Sequence, residues 1–82
     1  MSRFALQWLL PREPDLLTHV MLLDRERPAP YALAVGHGAD NAHALLNLWQ
    51  TLIDSDALQP AIDYVAAAYT HRTGKPPAKS AN

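Results

Sequence analysis

Between Val35 and Ala42 the hydrophobic repeat of this chain changes from the two-residue period of a strand to the three-to-four spacing of a helix. The segment carrying the change is Gly36-His37-Gly38-Ala39-Asp40-Asn41. Its glycines permit positive φ or close approach of another backbone, and Asp40 or Asn41 can cap a following helix through a side-chain oxygen. A fold for this chain must therefore end a strand and start a helix within these few residues. The Gly-His-Gly stretch reads as the turn that does so.

Upstream, residues 3–10 alternate, with Phe4, Leu6, Trp8 and Leu10 on one face and Arg3, Ala5, Gln7 and Leu9 on the other. Pro11 and Pro14 stop that strand, since neither can donate to a ladder. Residues 16–23 form a second apolar run whose Val20 and Thr18 suit a strand, with a helical turn left open. Residues 24–30 form a charged loop closed by Pro28 and Pro30, short enough for a hairpin and too short for a parallel crossover. Tyr31 to Val35 reads as a third strand.

Downstream, Ala42, Leu45, Leu46, Trp49, Leu52 and Ile53 fall on one helical stripe, and Leu48 lies on its margin. Asp54-Ser55-Asp56 ends this helix and starts another, capped at Ser55 or Asp56, with Pro60 in its first turn. Leu58, Ile62, Val65 and Tyr69 supply the second stripe, and Gly74 followed by Pro76-Pro77 stops it. The expected architecture is α+β: a three-stranded antiparallel meander followed by two helices packed on one face, in the order β-β-β-α-α. Residues 1–74 form one domain and residues 75–82 a disordered basic tail.

A chain of 82 residues with 49% hydrophobic and 18% charged residues can build one compact core and is not of disordered composition. There is no cysteine, so disulfides and thiolate metal sites are excluded. Met1-Ser2-Arg3-Phe4 opens no apolar signal region, and no apolar run reaches the ~18 residues of a membrane span. A cytoplasmic protein with no membrane association is expected. Residues 1–69 hold four arginines against all eight acids, whereas residues 70–82 hold three cations and no acid. An acidic body argues against broad phosphate binding.

The residues that carry chemistry give no catalytic set. His37 and His43 are the closest histidine pair, but they straddle a turn and a helix start and lack a third ligand at metal spacing. His37, between glycines near a helix N-terminus, could donate to an anion as a neutral imidazole, or serve only as a turn residue. The glycines match neither a phosphate loop nor a dinucleotide fingerprint, and Asp40 would repel a phosphate. Asp54, Asp56 and Asp63 suit caps, and no serine is placed as a nucleophile. No catalytic, cofactor or metal residue is expected. Tyr64 falls off the second helical stripe and is a candidate for an interface, alongside His37 and His43.

The stretch Gly38-Ala39-Asp40-Asn41-Ala42-His43-Ala44-Leu45-Leu46-Asn47 resembles the strand-to-helix segment of HicB-like antitoxin domains. Ala44 and Asn47 match that family's pattern, and His43 stands where it usually has Glu. The resemblance covers some 30 to 40 residues around positions 36–47 and includes the β-meander before them. It lacks the family's Pro-Asp-Leu-Pro-Gly-Cys-like segment and any following DNA-binding domain. It implies a non-enzymatic protein that binds another protein. The expected function is accordingly a protein-interaction module, homo-oligomeric or binding a protein partner. The alternative is a nucleic-acid-binding domain of double-stranded-RNA-binding-like layout.

Overall fold

The computed structural model of the protein describes residues 3–13, 16–28 and 32–78. Its elements are β1 (Phe4–Leu9), β2 (Thr18–Asp24), β3 (Ala32–Gly38), α1 (Asn41–Asp54) and α2 (Gln59–Thr73). The strands form one antiparallel sheet in the order β1-β2-β3. Both helices follow, so the α+β meander-plus-helices layout is observed. Tyr31 and residues 79–82 of the expected tail lie outside the described residues.

Phe4, Val20, Leu22, Ala44, Leu45, Leu48, Leu52, Ala61 and Val65 form the buried core between sheet and helices. Each fully buried Leu or Val contributes about 1.5–3 kcal/mol relative to exposure. The second apolar run is a strand, but Leu16 and Leu17 stay exposed ahead of Thr18. Leu10, expected on the inner face of the first strand, lies beyond β1 and is 66% exposed.

Three local expectations are corrected. Gly36-His37-Gly38 is not a turn: β3 continues through Gly38, and neither Gly36 nor Gly38 has positive φ. These glycines serve close approach instead. A Cβ at Gly36 would stand 2.5 Å from Ala44 O, Leu48 N and Leu48 Cβ, and one at Gly38 would stand 2.6 Å from Ala44 N and His43 Cβ. The backbone of α1 therefore rests directly on β3.

That contact rotates the buried face of α1 from the one the hydrophobic stripe suggests. Leu48, expected at the margin, is fully buried, as are Ala44, Leu45 and Leu52, while Leu46, Trp49 and Ile53 are half-buried on the flank. The helix begins as expected. Asp40 is its N-cap, in extended backbone, with Oδ1 accepting from His43 N–H at 2.9 Å.

At the helix junction, Ser55 closes α1 instead of opening α2, its N–H donating to Thr51 O at 3.0 Å. Asp56 takes a left-handed turn at φ 56°, and Leu58 is the N-cap of α2 with no side-chain bond. Leu58, expected on the second stripe, is 56% exposed, because it stands outside the first turn. Ala61 and Val65 are the buried residues of α2, a narrow face whose small side chains let it approach α1. Pro60 lies in the first turn, and Gly74 ends the helix in the left-handed conformation at φ 77°.

Candidate interaction surface

Both helices cover the same face of the sheet, and among the described residues no element covers the other face. The alternation places Ala5, Gln7 and Leu9 of β1, His19, Met21 and Leu23 of β2, and Val35 and His37 of β3 on it. Leu9 is 49% and Val35 43% exposed, and Met21 and Leu23 are half-buried. No charged side chain stands among these residues. At the end near Leu9 and His19 the face runs into a groove of about 470 Å³ whose walls include Leu10, Leu16 and Leu17, with Arg12 as its one charged side chain among the described residues. Those leucines are 66%, 52% and 46% exposed, which makes the hairpin end the most apolar exposed region described.

His37 lies on this open face, directly across from His19, with ring centroids 5.9 Å apart and planes 29° from parallel. Its N–H donates to Asn47 Oδ1 of α1 at 3.0 Å. That N–H thus points away from β2, and Asn47 occupies part of the outer edge of β3. The His19–His37 pair is consequently of the non-hydrogen-bonded kind, in which cross-strand side chains stand closest.

His43 is on α1, over the opposite face of the sheet from the His37 side chain. Its Nδ1 lies 2.8 Å from Asp40 Oδ1, so it joins the helix cap. The two histidines are not brought together; His37 meets His19, which sequence spacing did not single out. Tyr64 is half-buried against the core, with its ring 5.7 Å from that of Phe4 and tilted 44° to it. It closes the gap between α2 and the start of β1. Among the described residues, no group of three or more His, Asp or Glu is placed to hold a metal ion.

Asp24 is the charged residue that sequence reasoning misplaced, in the loop after the second run. It is the last residue of β2, 1% exposed, on the core face opposite Phe4. Arg3 Nε and Nη2 donate to its two carboxylate oxygens at 3.0 Å each, and Glu26 N–H donates to Oδ1 at 3.0 Å. The Arg3 guanidinium also stands 5.1 Å from the Phe4 ring centroid. With both oxygens engaged, this carboxylate is a structural clasp joining the start of β1 to the end of β2 and not a free base.

The Arg3 hydrogen bonds hold the Asp24 carboxyl below the usual carboxylate range, outweighing the opposing effect of desolvation. The stability it contributes is present above the unfolded-state pKa of about 3.9 and is lost as pH falls through the lower folded value. Asp24→Asn is therefore expected to melt well below the wild type at neutral pH, with the gap narrowing below about pH 4. Thermal melts followed by circular dichroism across acid and neutral pH check this; a gap unchanged down to pH 2 would contradict it. Asp40 is likewise held low, first by the His43 N–H hydrogen bond and then by the His43 ring, so acid also weakens the α1 cap.

No helix among the described residues is long and apolar enough to cross a membrane. No protein-family model, curated protein or solved structure matches the chain.

Proposed function

We propose that this protein is a non-enzymatic interaction module that self-associates through the open face of its sheet. The uncharged apolar surface formed by Leu9, Met21, Leu23 and Val35, continuous with the leucines at the hairpin end, carries the reading. A second copy is the occupant that fits. The strand residues of this face are apolar or neutral polar, so over the sheet it meets its own copy without like-charge repulsion, and two such sheets pack face to face about 10 Å apart. The HicB-like resemblance, through Ala44 and Asn47, points to the same class of function. The nucleic-acid alternative finds less support, because the strand residues of this face supply no cation and Arg12, in the wall of the hairpin-end groove, neutralises one phosphate at most.

Sedimentation equilibrium at hundreds of micromolar is expected to show a dimer. Val35→Glu should weaken association by about tenfold or more, since each copy then buries a carboxylate, while leaving the monomer melt near the wild type. A wild-type chain that stays monomeric across that range would remove the proposal.

A further inference from the structure

β1 is an end strand of the sheet, with β2 as its neighbour. The hydrogen bond from Arg25 N–H to Arg3 O at 2.8 Å sets the alternation along it. Ala5, Gln7 and Leu9 therefore direct their N–H and C=O groups to β2, whereas Leu6 and Trp8 direct theirs outward along the open edge. Natural edge strands usually carry a charge, a proline or a bulge that discourages pairing. Phe4-Ala5-Leu6-Gln7-Trp8-Leu9 carries no charge or proline and pairs with β2 in unbroken register. The opposite edge differs, because Asn47 of α1 takes the outward N–H of His37.

The side chains of Leu6 and Trp8 also line a groove of about 400 Å³, with Leu45, Ala68, His71 and Arg72. Helix and strand run in step along it: Tyr64 meets Phe4, and Arg72 stands over Trp8 at 5.2 Å from the ring centroid. Four helical residues rise about 6 Å and two strand residues about 6.7 Å, so Ala68 falls level with Leu6. Among the described residues no carboxylate lines the groove and Arg72 makes no ion pair. A guanidinium held over an aromatic ring can still present its planar fork of N–H donors to a carboxylate.

We infer that β1 and this groove bind an extended acidic peptide as a fourth strand, antiparallel to β1. The peptide residue opposite Trp8 comes first and the one opposite Leu6 follows two positions later, both directed into the groove. The first is Asp or Glu, reaching Arg72; the second is apolar, seated against Leu45 and Ala68. Main-chain bonds to Leu6 and Trp8 supply affinity, and the groove supplies the choice of side chains. This site is separate from the open sheet face and does not depend on self-association there.

The test is an NMR titration of the full chain with a blocked heptapeptide of Thr and Val carrying Glu and, two positions later, Leu. Saturable shifts are expected at the Leu6 and Trp8 amides. Lysine in place of the peptide's glutamate should weaken binding about tenfold or more, and Arg72→Gln, at an exposed position, should reduce that preference to about twofold. Methylating the peptide nitrogens that face β1 should abolish binding. Three results would each overturn the inference: no shifts with peptide at hundreds of micromolar, binding indifferent to N-methylation, or Leu6 and Trp8 amides already protected from exchange by pairing with a second copy.

Discussion

Gly36→Ala is expected to lower the unfolding free energy by about 2–3 kcal/mol, the upper part of the range for overpacking a well-filled interior. The added methyl would meet Ala44 O and Leu48 N at 2.5 Å. Both are backbone atoms of α1, so no change of rotamer can yield the space, and the helix must lift from β3. Gly38→Ala meets Ala44 N and His43 C at 2.6 Å and should behave alike. Gly74→Ala is the informative contrast: nothing lies within 4 Å of its added methyl, but its φ is 77°, so only backbone strain of about 1 kcal/mol applies. Urea titrations followed by tryptophan fluorescence measure all three. A Gly36→Ala protein as stable as the wild type would mean that α1 is not seated on β3 in this way.

Leu48→Ala should cost about 3 kcal/mol, within the range for removing a fully buried leucine side chain and leaving part of its cavity. Leu46→Ala, at a half-buried flank position, should cost less than half as much, about 1 kcal/mol. The order matters more than either value, because the hydrophobic stripe alone ranks the two leucines the other way. Combining Leu48→Ala with Gly36→Ala should give no rescue, since the clash at Gly36 is with the Leu48 N and Cβ that alanine retains. A larger cost at Leu46 than at Leu48 would show that α1 presents the face its sequence stripe suggests.

The elements legible in the sequence were those decided within a few residues of chain. Asp40 caps α1 through a bond spanning three residues, and Gly74 stops α2 because it adopts a left-handed φ. Phe4 and Trp8 show alternation because neighbouring strand positions face opposite sides. The junction at Ser55 and Asp56 was less legible, since either residue can cap a helix, and the structure uses Ser55 to close α1. The groove beside β1 was not legible: Trp8 and Arg72 meet only once α2 has packed along that strand.

The candidate surface divides in the same way. Its strands could be recognised, and so could the covered side of β1, since Phe4 and Trp8 alternate with Ala5 and Gln7 and pack in the core; which residues of β2 and β3 share the open side depends on register. Spacing made His37 and His43 the closest histidine pair in the sequence, whereas strand register sets His37 against His19. Asp24 looked like a loop charge until register brought it to Arg3, 21 residues away.

The sequence by itself determined the order of the elements, the kind of all but the second run, the start of α1 near Asp40 and the end of α2 at Gly74, because backbone preference and short-range hydrogen bonds decide these. Only the tertiary structure decided the use of Gly36 and Gly38. They do not bend the chain; they lack the side chains that would hold α1 away from β3. That contact selects Leu48 for the core and places Asn47 on the outer edge of β3, while no described residue pairs with the outer edge of β1, since such choices depend on which backbones can approach most closely.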